Sequence, residues 1–351
     1  MTVILVKAER TYPVTLTNSW TLELQRSFAD RTRVAVIVSE GYSPDLSELR
    51  DSDSELHVFT VPDGEDGKTI ATLTKLWNWL GAAGFTRSDL IVGIGGGAIT
   101  DLAGFAAASW LRGIDWVAVP TSLAGMVDAS VGGKTGINSD YGKNLIGAFH
   151  SPVGVVIDTS FLQSLSDRDF GAGMAEVIKC GFISDPKILD VAASHSVDSL
   201  RNSPDVITEL IQRAVSVKAQ VVASDFKENL AREVLNYGHT LGHAIEIHAK
   251  YQLRHGEAVA IGLVYAAELA AARGLISSTE LDLHRSILSS YGLPITFERQ
   301  AWPKLLPLLA LDKKARGNTV RFVALNGIGK TVRLEDLTSA ELDAAYERIS
   351  S

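Results

Sequence analysis

Two histidines lie one helical turn apart in the second half of the chain. His239 and His243 are separated by four positions, and His255 opens the short motif His-Gly-Glu. Residues four positions apart share one face of a helix. A catalytic zinc takes three His or carboxylate ligands and keeps one position open. The segment therefore indicates a metal site, and a buried, hydrogen-bonded histidine cluster is the alternative that the spacing leaves open.

An acid and a lysine three positions apart, Glu176 and Lys179, lie in a predicted helix that is otherwise apolar. A surface ion pair is the simpler interpretation. The apolar neighbours leave little polar face for such a pair, so we interpret both residues as part of a site. The single cysteine, Cys180, excludes an intramolecular disulfide and a cysteine-rich zinc module. A metal would need His and carboxylate ligands.

A glycine-rich turn, Gly93–Asp101, follows a buried strand and opens a helix. Glycines allow close backbone approach to a ligand, and a helix N-terminus offers free N–H groups to a phosphate. A tight turn without a ligand is the alternative. Polar residues also follow two other strands, at Asp63–Lys68 and at Thr121-Ser122. Ligands of open α/β sheets gather at the carboxyl ends of strands, so these turns together favour a dinucleotide.

The stretch Asp128–Asn144 is polar and glycine-rich and carries Lys134 and Lys143. We predict a loop, because Gly, Thr, Asn and Asp dominate it. Two lysines in such a loop suit an anionic substrate. A solvated surface loop is the alternative interpretation.

The elements that position these residues change in character along the chain. Short apolar strands alternate with helices in the first half, which predicts a parallel sheet covered by helices. The predicted strands are Val34–Val38, His57–Val61, Leu90–Ile94, Trp116–Val119 and Val153–Ile157, with helices at Leu73–Trp79 and Asp101–Leu111. Helical periodicity then marks Gly171–Ile183, Asp205–Phe226, Tyr237–Ala249, Gly256–Arg273, Ser278–Ser290 and Ser339–Ile349, with one strand at Thr319–Leu325. We predict an α/β domain over residues 1–165 and a mostly α-helical domain over residues 166–351.

Composition limits the partners of the chain. Its 351 residues suggest about two domains. The formal net charge of −8 argues against nucleic-acid binding. The longest apolar stretch, Ala258–Ala272, is interrupted by Glu268 and is shorter than a membrane span requires. We expect a cytoplasmic protein with no nucleic-acid or membrane partner.

Several sequence blocks together resemble one known family. The sequence is similar to the 3-dehydroquinate synthases, which belong to the sugar-phosphate cyclases. The blocks occur in family order between residues 63 and 314, and they are Asp63–Lys68, Gly95–Asp101, Arg112-Gly113, Pro120-Thr121-Ser122, Asp128–Asn144, Gly173–Lys179, Asn236–Glu246, His255-Gly-Glu257 and Asp312-Lys313-Lys314. Their joint occurrence is far more specific than any single block.

The resemblance implies an N-terminal NAD-binding α/β domain and a C-terminal helical domain, with a divalent metal, zinc or cobalt, between them. It implies Glu176, His239 and His255 as metal ligands. The implied NAD contacts are Asp63, Gly64, Glu65, Lys68, Gly96, Gly97, Ala98, Asp101, Thr121, Ser122, Asp128, Lys134, Lys143, Phe161, Leu162, Gln163 and Ser164. The adenosine ribose is expected at Ser39 or Glu40.

The resemblance also implies the substrate and the chemistry. The substrate is 3-deoxy-D-arabino-heptulosonate 7-phosphate, a small anionic sugar phosphate. Its implied contacts are Arg112, Asp128, Lys134, Lys143, Asn144, Lys179, Lys218, Arg232, Asn236, His243 and one lysine of the Lys313-Lys314 pair, for which we choose Lys314. The implied catalytic residues are Lys134, Lys179, Lys218, Glu228, Arg232, Asn236 and His243. The family members are phosphate-eliminating carbon–oxygen lyases of the shikimate pathway and are usually homodimers.

This chain departs from the family pattern at two positions. Ser122 replaces a frequent threonine and keeps the hydroxyl, and Tyr237 stands where the family has leucine. Three other functions remain open: another sugar-phosphate cyclase, a metal-dependent NAD polyol dehydrogenase, and a binding protein on an inactive cyclase scaffold. The retained Lys218, Arg232 and Asn236 argue against the first, and the lysine stretch argues against the second.

Overall fold

A seven-stranded sheet fills the first half of the computed structural model, which describes residues 1–50, 52–226, 231–316 and 320–351, with the backbone alone for 310–316. Its strands are β1 Thr2–Lys7, β2 Thr11–Thr17, β3 Arg33–Ser39, β4 Glu55–Val61, β5 Leu90–Gly95, β6 Asp115–Pro120 and β9 Gly154–Asp158. The strand order is β1-β2-β9-β6-β5-β3-β4. Only β1 and β2 pair antiparallel among these neighbours, and the other pairs are parallel.

The central strands are apolar on both faces, as a sheet covered by helices requires. Val36 of β3, Val92 of β5 and Val117 of β6 are fully buried in one apolar core. The helices of this half are α1 Trp20–Gln25, α2 Ser47–Arg50, α3 Ile70–Ala82 and α4 Gly97–Ser109. The predicted parallel α/β architecture is confirmed.

A β-hairpin replaces the loop that we predicted over Asp128–Asn144. Its strands are β7 Lys134–Ser139 and β8 Gly142–Phe149, which pair antiparallel. The loop prediction was wrong because glycine has a second use here. A Cβ on Gly136 would lie 2.7 Å from the Ile146 carbonyl oxygen, and one on Gly147 would lie 2.2 Å from that of Thr135. These glycines allow close backbone approach between paired strands.

The second half is mostly helical, as predicted. Its helices are α5 Asp167–Ile183, α6 Lys187–Ala193, α7 Val197–Arg201, α8 Pro204–Ser224, α9 His239–His248, α10 His255–Ala272, α11 Ser278–Ser290, α12 Trp302–Arg316 and α13 Ser339–Arg348. A short antiparallel pair joins β10 Phe322–Leu325 to β11 Thr331–Leu334. The prediction of a single strand here was therefore incomplete, because four-residue strands carry little periodic signal.

The contacts divide the chain into two compact units. The first comprises Met1–Ser164 and Lys218–Lys227, and the second comprises Leu165–Val217 and Glu228–Ser351. Among the residues that the structure describes, no helix combines the length and the apolar character needed to cross a membrane.

Two glycines bring α10 against the helices on either side of it. A Cβ on Gly256 would lie 1.8 Å from the carbonyl oxygen of Ala172 in α5. A Cβ on Gly262 would lie 1.8 Å from the carbonyl oxygen of Gly238, the residue before α9. Any side chain at either position would force the helices apart. These contacts set the spacing of α5, α9 and α10, which carry the residues described next.

Candidate metal centre and cofactor turns

Three predicted metal ligands come together in the second unit. Glu176 lies within α5, while His239 and His255 are the first residues of α9 and α10. Their ligand atoms all lie within 4.8 Å of one another. Glu176 Oε1 is 3.6 Å from His239 Nε2 and 3.4 Å from His255 Nε2. The arrangement gathers two imidazole nitrogens around one carboxylate oxygen.

The second nitrogen of each imidazole has its own partner. His239 Nδ1 lies 3.1 Å from the carbonyl oxygen of Tyr237, and His255 Nδ1 lies 3.1 Å from Glu246 Oε2. An Nδ1–H that donates to such an acceptor leaves the Nε2 lone pair toward Glu176, which is the tautomer that a metal ligand needs. The carbonyl and the carboxylate therefore orient the two rings.

Glu246 is a residue of this site that we did not predict from the sequence. It is buried, and it lies seven residues after His239 and three after His243 in the same helix. That spacing places all three on one face, which was the signal available in the sequence. What the sequence could not show is that α10 brings the His255 ring to this carboxylate.

The charges around Glu176 suit a divalent cation. Glu176 is 2 % exposed, and its Oε2 lies 2.5 Å from Lys179 Nζ. Its Oε1 is buried and has no hydrogen-bond partner among the described residues. Burial opposes ionisation, but Lys179 and the two histidines hold the pKa of Glu176 well below its usual range. The Oε1 atom is buried and has no hydrogen bond from any described residue, so a metal at the two Nε2 atoms would give it the partner that it lacks.

The two imidazoles differ in protonation. Burial and the positive charge of Lys179 lower the pKa of His239 well below its usual value, so this ring is neutral. Burial has the same tendency at His255, but the carboxylates of Glu176 and Glu246 outweigh it and raise the pKa of His255 to about 10. Metal binding to His255 must therefore displace a proton.

Glu257, in the motif that His255 opens, has a structural role. Its Oε2 accepts a hydrogen bond from the Arg254 backbone N–H at 2.8 Å, which caps α10. Arg168 of α5 holds both carboxylate oxygens, at 2.5 and 2.7 Å. This bidentate pair joins the start of α10, and so His255, to α5.

The remaining predicted residues of the second unit lie close in sequence to α9. Arg232 and Asn236 occupy the 3-10 turn Ala231–Asn236, and Arg232 is buried. His243 is exposed one turn into α9, with its ring 5.3 Å from that of His239 and 6.1 Å from that of His255. Glu228 lies outside the described residues, and so does the side chain of Lys314.

Predicted substrate residues of the first unit lie at a π-helical turn and on the hairpin. Asp128 belongs to the turn Gly125–Ala129, and its Oδ1 lies 2.5 Å from Lys218 Nζ. Lys134 begins β7, while Lys143 and Asn144 lie in β8. Arg112 ends a short 3-10 turn and is exposed. The structure thus brings Lys218 to Asp128 although 90 residues separate them.

Most of the predicted cofactor residues follow four parallel strands at one edge of the sheet, whereas Asp128, Lys134 and Lys143 lie at the π-helical turn and on the hairpin. The segments after β4, β5, β6 and β9 are the 3-10 turn Gly64–Gly67, the start of α4, Thr121-Ser122 and the 3-10 turn Thr159–Ser164. Helix α4 begins at Gly97 after its N-cap residue Gly96, and no side chain caps it. Its free N–H groups match the needs of a bound phosphate. The first unit therefore offers a site that fits a dinucleotide.

Lys68 connects two of the predicted groups. Its buried Nζ lies 2.7 Å from Asp101 Oδ2 in α4 and 2.5 Å from Asn144 Oδ1 in β8. Burial raises the pKa of Asp101, and the positive charge of Lys68 opposes that effect. A residue implied for NAD thus contacts a residue implied for the substrate.

A cavity of about 390 Å³ lies near the ends of β2 and β9. Its aromatic lining residues are Trp20, Tyr42 and Phe161. Phe161 belongs to the predicted cofactor set, whereas Ser39 and Glu40 are not among the lining residues. The ribose contact at Ser39 or Glu40 stays a prediction.

Comparison with known proteins identifies the family. Models of the 3-dehydroquinate synthase N-terminal and C-terminal domains match residues 58–172 and 173–315. A 3-dehydroquinate synthase of Mycolicibacterium vanbaalenii is 47% identical over 353 aligned positions, covering 98% of this chain and 97% of the relative.

Two solved structures share the whole fold. The 2-epi-5-epi-valiolone synthase ValA of Streptomyces hygroscopicus subsp. jinggangensis 5008, with NAD+ and Zn2+ bound, has a TM-score of 0.90 at 28% identity and covers 97% of each chain. A 2-deoxy-scyllo-inosose synthase complexed with carbaglucose-6-phosphate, NAD+ and Co2+ has a TM-score of 0.88 at 25% identity and covers 99% of each. On the two matching domain models and the near full-length relative, this chain belongs to the 3-dehydroquinate synthase family.

Proposed function

We propose that this protein is a 3-dehydroquinate synthase. It converts 3-deoxy-D-arabino-heptulosonate 7-phosphate to 3-dehydroquinate and phosphate, with NAD and a divalent metal, zinc or cobalt, as cofactors. The observation that carries the proposal is the group of Glu176, His239 and His255, in which Glu176 Oε1 is buried and has no hydrogen-bond partner among the described residues. Because the chain belongs to this family, we expect the group to hold the divalent metal of a 3-dehydroquinate synthase.

Glu176, His239 and His255 would hold the metal, each through one ligand atom. When bound, the metal lowers the pKa of a hydroxyl that coordinates it, which assists oxidation of that hydroxyl. Glu246 and the Tyr237 carbonyl keep the two imidazoles in the ligating tautomer. His243, exposed one turn beyond His239, is placed to move a proton.

The basic side chains account for an anionic substrate. Lys134, Lys143, Lys179, Lys218 and Arg232 would bind its carboxylate and phosphate. Holding both ends of the substrate also favours ring closure through orientation. The net charge of −8 does not oppose this function. Net charge is a sum over the whole chain, whereas an anionic substrate contacts only the basic residues of its binding site.

NAD, when bound, would accept a hydride from a substrate hydroxyl and later return it, so it would act catalytically. The ketone formed from that hydroxyl would make the adjacent C–H acidic, which would allow phosphate to be eliminated. Gly96, Gly97 and the α4 N-terminus would hold the cofactor phosphates.

Finer parts of the proposal are supported by the family resemblance alone. We propose a carbon–oxygen lyase of the cytoplasm that functions as a homodimer. We also propose that residues 1–165 bind NAD and residues 166–351 bind the metal and substrate.

The test is incubation of the protein with the heptulosonate phosphate, NAD and zinc. We expect phosphate release and 3-dehydroquinate as the product, with no net absorbance change at the NADH band. Stoichiometric NADH would instead identify a polyol dehydrogenase. No phosphate release from this substrate, but turnover of another sugar phosphate, would identify a different cyclase. The 47% identity with a 3-dehydroquinate synthase against 28% with a valiolone synthase favours the first outcome.

A further inference from the structure

Asn138, near the end of β7, connects the turn Asp63–Lys68 to Asn144 through three hydrogen bonds. Its backbone N–H donates to the Lys68 carbonyl at 2.8 Å. Its side-chain Nδ2 donates to Glu65 Oε2 at 2.6 Å, and its Oδ1 accepts from the Asn144 backbone N–H at 3.0 Å. We call Asp63–Lys68 the cofactor turn, after its proposed role.

Asn144 is held from the same turn on its other side. Lys68 Nζ donates to Asn144 Oδ1 at 2.5 Å, and Lys68 is only 2 % exposed. Asn144 has a φ of +57°, in the left-handed region that costs energy for residues other than glycine. The bonds from Asn138 and Lys68 stabilise this conformation, so the position of Asn144 depends on the cofactor turn.

We propose that Asn138 is a positioning residue that couples the cofactor turn to Asn144, so that binding of the dinucleotide and binding of the anionic sugar phosphate strengthen each other. This inference rests on the proposed function, since it takes the turn as the cofactor contact and Asn144 as the substrate contact. A ligand that immobilises Glu65 and Lys68 also immobilises Asn144, and the substrate then loses less conformational freedom on binding. By linkage, the substrate strengthens cofactor binding by the same factor.

The two side-chain bonds of Asn138 can be separated by substitution. Asn138→Ala removes both. Asn138→Asp keeps an acceptor for the Asn144 N–H but places a carboxylate against the Glu65 carboxylate. Glu65→Gln supplies an amide donor at that point, so the double variant restores the bond to residue 65 with its direction reversed. The wild type, Asn138→Asp, Glu65→Gln and the double variant form a double-mutant cycle.

NAD binding and binding of the heptulosonate phosphate are measured separately. Calorimetric titration of the zinc-loaded protein with NAD alone gives the dissociation constant, and steady-state assays at saturating NAD give kcat and KM for the heptulosonate phosphate. We expect Asn138→Ala to raise both the NAD dissociation constant and KM by roughly two- to tenfold, the effect of one or two hydrogen bonds. Asn138→Asp should weaken NAD binding with KM near the wild-type value. The double variant should bind NAD more tightly than the two single changes predict.

The matched control is Asn202→Ala, which removes an exposed asparagine amide bonded locally to the Asp198 carbonyl. It should leave both constants unchanged. NAD dissociation constants and KM values of all Asn138 variants within the wild-type error would overturn the proposal. Additive effects in the cycle, or a lower Tm with unchanged binding constants, would also overturn it.

Failure of the proposed function would be visible separately. A wild-type protein that binds NAD but releases no phosphate from the heptulosonate phosphate would refute the assigned reaction. The NAD titrations and the cycle between positions 65 and 138 would still decide whether Asn138 positions the cofactor turn.

Discussion

Glu246 Oε2 accepts a hydrogen bond from His255 Nδ1, and the two residues belong to different helices, α9 and α10. The carboxylate orients the imidazole whose other nitrogen faces Glu176. Outer carboxylates of this kind typically contribute roughly 10- to 100-fold to metal affinity. We therefore expect Glu246→Ala to weaken zinc binding by about that factor, measured by competition with a chromophoric chelator.

Glu268→Gln is the matched control for Glu246→Ala. Glu268 is an equally buried acid, but it pairs with Arg285 and Arg348 rather than with a histidine. Its loss should lower stability without changing zinc affinity. Equal zinc affinity in the Glu246 variant and the wild type would remove Glu246 from the metal site.

Gly262→Ala should damage the metal centre through helix packing. The new Cβ would lie 1.8 Å from the Gly238 carbonyl oxygen, so α10 must move away from the start of α9. We expect a loss of roughly 1–3 kcal/mol in the free energy of unfolding and weaker zinc binding. Gly81→Ala in α3 is the control, because its nearest neighbour is a Trp110 side-chain atom at 3.3 Å. Unchanged stability and zinc affinity in Gly262→Ala would contradict the packing argument.

His284 should make stability depend on pH. It is fully buried, stacks on Phe182 with ring centroids 3.6 Å apart, and bonds to the Tyr237 hydroxyl and the Glu280 carbonyl. Burial lowers its pKa from the ordinary value of 6.5 to about 4. At pH values between these two pKa values, His284 binds a proton in the unfolded chain but not in the folded protein.

The contribution of His284 is therefore complete above pH 6.5 and lost as the pH falls toward about 4. At about 1.4 kcal/mol per pKa unit, it amounts to roughly 3 kcal/mol. Urea unfolding at several pH values should show this slope in the wild type and a shallower one in His284→Gln. Identical slopes in the two proteins would refute the assignment.

Lys134→Ala should impair turnover without affecting the fold. Lys134 is exposed at the start of β7, so its removal leaves no buried cavity. If it binds the substrate, KM should rise or kcat should fall by tenfold or more, since charge-assisted hydrogen bonds are the stronger class. Lys75→Ala, at an exposed position of α3, is the control. Steady-state constants like those of the wild type, at equal Tm, would exclude Lys134 from the site.

Local pattern was enough to predict most elements. A run of apolar residues such as Val34–Val38 predicts a strand buried on both faces, and a long periodic segment such as Ser278–Ser290 predicts a helix. Burial on one or both faces of an element produces a regular hydrophobic pattern in the sequence. The hairpin of β7 and β8 was missed since its glycines resemble loop residues, and their use in close strand pairing depends on the partner strand.

Residue types and spacing by themselves determined that a metal here would use His and carboxylate ligands, since the chain has one cysteine and its histidines cluster. They also determined the order of the family blocks. Only the tertiary structure decided that Glu246 lies against His255, that Lys218 reaches Asp128, and that Asn138 joins Glu65 to Asn144. Each of these pairs requires two elements to pack at a particular distance. That distance depends on glycine contacts and buried charges between residues that are far apart in the sequence.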